Sequence, residues 1–361
     1  MALDILSESE TELDLLTLGE CMVRLNAPGH ERIEYSPHFE AYVGGGEYNV
    51  AYALSRFGMR SDWTAKLVDN PLGRYIKHHA NGVGLPLDEV AWVDYDGVGT
   101  ENRIGLHFTE VGKGIRPSVS MYDRGHNATA HLKPGEIDWK RIFGERGVRW
   151  FHLGGIFTAL SDSCIEVARE AMEAAHEAGT IVSYDLNFRS KLWTSEKAID
   201  VTTDLVPYMD VVIGNEEDFQ KVLGFEVEGV GEGYQDLETE SYKKMVNKVV
   251  DTYPNVKAVA TTLREVISAD ENNWSALLYH DGDFYHSIEF ERLQIEDRVG
   301  GGDGFCSGLV YGLLNDFEPQ EAVNFGAAHG ALVQTTRGDN SKATLDEVHE
   351  AAEGGSARIK R

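Results

Sequence analysis

Runs of apolar residues in this chain change their spacing in a repeating order, and that order restricts the folds open to it. Leu13 to Leu18 is a short aliphatic run suited to a buried strand. Gly46 to Phe57 carries Val50, Ala53, Leu54 and Phe57 at helical spacing, with Gly58 as a stop. Ser163 to Ala178 repeats the pattern through Ile165, Ala168, Met172 and Ala175, and Gly179 terminates it. Thr180 to Tyr184 reads as a strand, a helix starts at about Ser195, and Asp210 to Ile213 reads as the next strand. Strand, helix, strand in this rhythm requires crossover connections. The spacing therefore predicts an α/β fold with a mainly parallel sheet covered on both faces.

Two stretches interrupt the rhythm. Residues 100–125 contain alternating segments, ENRIGLHFTE and SVSMYDR, that suit antiparallel strands standing apart from the main sheet. Residues 225–242 are acidic and glycine-rich and read as a surface insertion. Further on, Leu277 to Tyr279 and Phe284 to Ile288 flank Asp281-Gly282, a hairpin signal.

Charge narrows the partners. The 361 residues include 33 basic and 60 acidic ones, a formal net charge of −27. Such a field repels nucleic acid and anionic membrane surfaces, and an anionic substrate would need local arginines to reverse it. Cys21, Cys164 and Cys306 are far apart and form no CxxC pair, which points to a reducing compartment and to neither a disulfide framework nor a zinc site. The N-terminus has no basic region followed by an apolar run, and no apolar stretch is long enough to span a bilayer. A cytoplasmic protein is expected.

The sharpest chemical feature is Asp297-Arg298-Val299-Gly300-Gly301-Gly302-Asp303-Gly304-Phe305. Phe305, Leu309, Val310 and Leu313 follow at helical spacing, so the glycines sit at a helix N-terminus, where backbone amides and the helix dipole favour an anion. Asp303 is then either a helix cap or a functional carboxylate, and three glycines give more backbone clearance than a cap needs. Gly304, Gly308 and Gly312 form a second row that suits close helix packing. GxxxxGK[ST] is absent, no GxGxxG follows the first strand, and there is no HExxH, so P-loop, dinucleotide and zincin readings fall away.

These residues resemble the C-terminal signature of the PfkB (ribokinase-like) carbohydrate kinases, close to DxxGAGDxFxxG. It is met by Asp297, Gly300, Gly302, Asp303, Phe305 and Gly308, with Gly301 and Gly304 where alanine is more usual. The family's N-terminal glycine signature has its counterpart in Gly44-Gly45-Gly46-Glu47-Tyr48-Asn49-Val50-Ala51. Within the family, MYDRGHNA, DLNFRSKLW, GNEEDF, DRVGGGD and the C-terminal ARIKR look most like 2-keto-3-deoxygluconate kinases. The resemblance implies a single three-layer α/β/α domain over residues 1–361 with a small antiparallel β lid drawn from 20–43 and 100–125. It also implies ATP and Mg²⁺ as cofactors and a homo-oligomer formed through the lid.

The same likeness implies a site. Gly45, Asn49, His107, Tyr122, Arg124 and Arg189 would line the sugar pocket, His107 standing where a tyrosine is common. Gly300, Gly301, Gly302 and Asp303 would form the catalytic turn, Gly300 and Gly302 supplying anion-hole amides and Asp303 the base. Asn215 and Arg264 would face the nucleotide. Asp218 replaces the glutamate of an NxxE motif that organises the metal, and Glu217 is its alternative. Thr262 to Ile267 falls where the family often has a TxGxxG turn, here without either glycine, so the backbone approach to ATP must differ. Independently of the family, Asp185, Asn187 and Arg189 alternate just after a buried strand, where ligands sit in open α/β sheets. Arg124 and Arg189 suit a carboxylate through bidentate, charge-assisted bonds. The reading is an ATP-dependent sugar-acid kinase. A neutral-sugar kinase and a non-catalytic sugar sensor are its rivals.

Overall fold

The computed structural model describes residues 3–225 and 239–355. In chain order its strands begin with β1 (Leu13–Leu18), β2 (Met22–Asn26), β3 (Glu40–Gly44), β4 (Ser61–Thr64), β5 (Lys66–Asp69) and β6 (Ala91–Asp94). They continue with β7 (Gly105–Glu110), β8 (Val119–Asp123), β9 (Val148–Gly154), β10 (Ile181–Asp185) and β11 (Val211–Ile213). The last are β12 (Ala258–Ser268), β13 (Glu271–His280), β14 (Asp283–His286) and β15 (Phe290–Gln294). The helices used below are α1 (Gly46–Arg56), α2 (Pro71–Asn81), α3 (Gly155–Ala159), α4 (Asp162–Glu177) and α5 (Ser195–Leu205), followed by α6 (Glu216–Leu223), α7 (Thr239–Thr252), α8 (Gly301–Leu314) and α9 (Pro319–Gln334).

The large sheet has the order β14-β13-β12-β11-β10-β9-β1-β4, with β15 also on β13. Pairing is parallel from β4 to β12 and antiparallel from β12 outward. Successive side chains point to opposite faces of a strand, and two separate cores result. Phe151, Leu153, Val182, Tyr184, Val212 and Val259 pack with α4, α5, α6 and α7 on one side. Trp150, Ile181, Val211, Ile213, Ala258 and Ala260 pack with α1, α2, α8 and α9 on the other. This is the three-layer α/β/α arrangement expected from the spacing.

The close row of small residues on α8 is met by another on α9. A Cβ on Gly308 would come within 2.9 Å of the Gly326 Cα, and one on Gly304 within 3.1 Å of the Gly330 Cα. Those glycines let two backbones touch.

The lid is a separate sheet, β3-β2-β7-β8, drawn from the expected segments. Its two outer pairs are antiparallel, and its central pair, β2 with β7, is parallel. A β5–β6 pair forms a further small sheet that the spacing did not reveal. The stretch Thr262 to Ile267 is no turn at all. It lies inside β12, paired continuously with β13 from Thr262 opposite Ala276 to Val266 opposite Asn272. Residues 226–238 of the expected acidic insertion lie outside the described residues, and residues from Thr239 onward belong to α7.

Candidate active site

The carboxyl ends of β1, β9, β10 and β11 and the N-terminus of α8 open into one cavity of about 580 Å³, roofed by the lid. Gly45, Asn49, His107, Tyr122, Arg124, Arg189, Asn215, Glu217, Asp218, Arg264, Gly300, Gly302 and Asp303 all line it. Gly301 does not; its missing side chain faces Gln334, with a built Cβ 2.9 Å from that side chain.

The glycines divide into those demanded by packing and those facing open space. A Cβ on Gly45 would sit 1.9 Å from the Glu20 carbonyl oxygen. Gly300 caps α8 at φ +88°, and a Cβ there would sit 2.3 Å from the Asp339 carbonyl oxygen. Both positions need glycine for the chain to close. Gly302 meets nothing within 4 Å, so its bareness serves the cavity and not the fold. No side chain caps α8, so its first-turn amides face the cavity end of the helix unclaimed by a cap.

Asp303 is half-buried in that first turn. Its Oδ2 accepts a hydrogen bond from Asn49 Nδ2 at 2.6 Å. Asn49 Oδ1 accepts in turn from Asn340 Nδ2 at 2.8 Å, which fixes the amide's orientation. A Cβ built on Gly46 would lie 3.7 Å from Asp303 Oδ1, leaving that oxygen clear of the helix opposite. Burial pushes the carboxyl up to about 6, while the Asn49 bond and the Arg189 charge pull it down and the Asp339 charge pushes it up.

The lid contributes one face of its sheet. Register places Arg24, His107 and Tyr122 in one cross-strand row and Asn26, Thr109 and Ser120 in the next. The His107 and Tyr122 rings stack at 4.4 Å, and the Arg124 guanidinium lies 4.4 Å over the Tyr122 ring. Arg124 also pairs with Glu20 at 3.3 Å, so part of its charge is matched inside the protein. Its Nε is buried without a hydrogen-bond partner, and Nη1, also buried, meets Glu20 as an ion pair only. Arg189 donates to the Phe188 carbonyl and forms no ion pair among the described residues. Asn187, beside it, holds φ +32°, a backbone state that asparagine tolerates better than most residues.

At the other end Arg264 on β12 and Arg298 line the cavity together. Arg298 lay within the glycine motif without an assigned role. Asp218 does more than line the wall. Its two oxygens accept from the backbone amides of Asn215 at 3.0 Å and Phe188 at 2.9 Å, and it forms a capping box with Asn215. Glu217, next to it, is exposed at the cavity mouth. Among the described residues no cluster of three or more His, Cys, Asp or Glu is arranged to hold a metal ion.

Three groups escaped sequence reasoning. Arg24 pairs with Asp297 at 2.6 Å and with Asp339, fully inside the protein. Glu47 is fully buried, and its Oε2 has no hydrogen-bond partner. Asp339 sits against Gly44 and Gly300 from a loop that carries no motif. Glu47 does lie inside the first glycine signature, but nothing local distinguishes it from a surface glutamate.

Residues 12–345 match the family described as pfkB family carbohydrate kinase. The chain is 33% identical to a 2-dehydro-3-deoxygalactonokinase of Haloferax volcanii, over 96% of this chain and 99% of that one. It is 27% identical to a 5-dehydro-2-deoxygluconokinase of Geobacillus kaustophilus, over 96% and 95%. The crystal structure of a 2-dehydro-3-deoxygluconokinase from Thermotoga maritima superposes with a TM-score of 0.88 at 38% identity, covering 95% of this chain and all of that one. With both glycine signatures meeting in one cavity of a ribokinase-like α/β/α fold, the chain belongs to the pfkB family of carbohydrate kinases.

Proposed function

We propose that this kinase transfers the γ-phosphoryl group of ATP to the primary C6 hydroxyl of a sugar acid, 2-keto-3-deoxygluconate. The observation that carries the reading is the pairing, across one cavity, of a half-buried carboxylate at a helix N-terminus with Arg189, which forms no ion pair among the described residues, and Arg124, whose charge Glu20 matches only in part. Asp303 accepts the hydroxyl proton as the oxygen attacks, Oδ2 being held by Asn49 and Oδ1 taking the proton. The amides of Gly300 to Asp303 stabilise charge on the transferring group, and the lid keeps water from competing as acceptor. Arg124 and Arg189 bind the carboxylate, with His107, Tyr122 and Gly45 completing the sugar pocket. Asn215 and Arg264 face the nucleotide.

The residues present fit a magnesium ion that arrives with the nucleotide. Asp218 is taken up by backbone amides, which leaves Glu217 as the carboxylate able to reach a hydrated ion. When bound, the ion neutralises phosphate charge.

One observation favours a neutral sugar instead: Glu20 already faces Arg124. The named relatives differ among themselves in the sugar acid they phosphorylate, which leaves the C4 epimer, 2-keto-3-deoxygalactonate, as the nearest competitor. ADP release measured on both epimers, on 5-dehydro-2-deoxygluconate, fructose and ribose separates these cases. Preference for a keto-deoxy acid supports the proposal, and preference for fructose or ribose defeats it. Val119, Met121 and Phe39 leave apolar surface exposed on the lid, and we assign it to a homo-oligomer contact that sedimentation can test. Three free, buried cysteines suit a cytoplasmic protein.

A further inference from the structure

Thr109 stands between a buried arginine and the histidine of the sugar pocket. Arg24 is almost wholly buried, and its terminal nitrogens are held by Asp297 and Asp339, one on either side of the catalytic glycines. That grip leaves its Nε to donate to Asn26 Oδ1 at 2.8 Å and to Thr109 Oγ1 at 3.1 Å. Guanidinium nitrogens donate and never accept, so the Thr109 oxygen is the acceptor in that contact. The other side-chain partner of the hydroxyl is His107 Nε2, at 3.1 Å. A hydroxyl oxygen can accept twice, but Thr109 is buried, and among the described residues Nε2 is the acceptor in reach of its own proton; the proton therefore points at Nε2, and Nε2 is the bare nitrogen.

His107 is also neutral. Burial first, then the charges of Arg24 and Arg124, hold the imidazole down at about 3. A neutral imidazole with a bare Nε2 carries its proton on Nδ1. The ring is stacked on Tyr122 and lines the cavity, so it cannot rotate freely to present the other edge.

We propose that Thr109, oriented by Arg24, is a positioning residue that locks His107 as its Nδ1–H tautomer, giving the sugar pocket a fixed donor for a substrate oxygen. The consequence for substrate binding rests on the sugar-acid reading above; the tautomer does not. The arrangement also ties the pocket to the phosphoryl end of the site, because the same guanidinium grips Asp297 and Asp339.

The test is long-range ¹H–¹⁵N correlation on protein carrying ¹⁵N-labelled histidine, with the His107 signals identified by their loss in His107→Asn. The expected pattern is a protonated Nδ1 and a bare Nε2 that stay unchanged between about pH 5.5 and 8. Thr109→Val should shift the pattern towards the Nε2–H form, whereas Thr109→Ser should keep the original one. Thr109→Val should also raise KM for the sugar acid about tenfold, the loss of roughly one hydrogen bond, with KM for ATP unchanged. A wild-type protein with the proton on Nε2, or a Thr109→Val spectrum identical to wild type, overturns the proposal. The wild-type spectrum alone decides the tautomer if the valine variant does not fold. Should the tautomer be as stated and no sugar acid be turned over, the substrate reading fails and the tautomer assignment stands.

Discussion

The Asn49 side chain holds Asp303 by a 2.6 Å hydrogen bond between residues 254 positions apart, one from each glycine signature. A donor aimed at a carboxylate favours its charged form, while burial favours the neutral form. The two effects oppose each other at Asp303, and burial is the larger.

As the proposed base, Asp303, with its carboxyl at about 6, must lose its proton to work, so kcat/KM should fall tenfold per pH unit below about 6. Asn49→Leu removes the donor and should move that limb to higher pH. Asp303→Asn should cost about 10²–10⁴-fold or more in kcat while ATP still binds. Activity within a factor of a few of wild type would reduce Asp303 to a helix cap.

Gly300 and Gly302 should respond differently to the same methyl group. Gly300→Ala meets the Asp339 backbone at positive φ and should lower Tm markedly. Gly302→Ala meets only open cavity, so its Tm should stay near wild type while kcat drops. Thermal melts beside turnover measurements check this. Equal loss of stability in both would remove the cavity argument for Gly302.

Arg189→Ala and Arg124→Ala should each raise KM for the sugar acid by about one to two decades, given roughly 1.5–3 kcal/mol for a charged hydrogen-bond partner. KM for ATP should change much less. Arg124→Ala also strands Glu20 in a buried site, so Tm should fall more for Arg124 than for Arg189. Normal sugar-acid KM in both variants would place the carboxylate elsewhere.

Glu47 should make the protein less stable as pH rises. Burial, with the nearby charges of Asp303, Asp185 and Glu20, pushes its carboxyl up to about 8 from an ordinary 4.5. The folded state then holds a proton that the unfolded chain has released, so stability is lost as pH climbs from about 4.5 through about 8. Glu47→Gln cannot titrate and should show a flatter Tm profile across that window. Parallel profiles for the two proteins would mean that Glu47 is ionised throughout.

Chelator should abolish turnover and leave the melt intact, because no described cluster of ligating side chains depends on a metal for its shape. Loss of the unfolding transition on adding EDTA alone would contradict this.

What the sequence determined by itself was everything carried by local periodicity and turn chemistry. The switch between strand and helix spacing foretold β1, α1, α4, β10 and β11, and Asp281-Gly282 foretold the β13–β14 hairpin. Three glycines before an apolar helix foretold the N-terminus of α8, since the left-handed backbone that opens it, at Gly300, is a local preference of glycine. The tertiary structure decided which charged groups face each other and which are hidden from water. The missing glycines of Thr262 to Ile267 said only that its backbone must differ from the family's turn; pairing with β13, a strand that follows it, made it an extended ladder. Asp218 looked like a metal ligand, yet the amides of Asn215 and Phe188 occupy its oxygens. Arg24 was one arginine among many until folding brought Asp297 and Asp339 to it, from 273 and 315 positions away. Desolvation and ion pairing depend on distance in space, and a linear pattern records only distance along the chain.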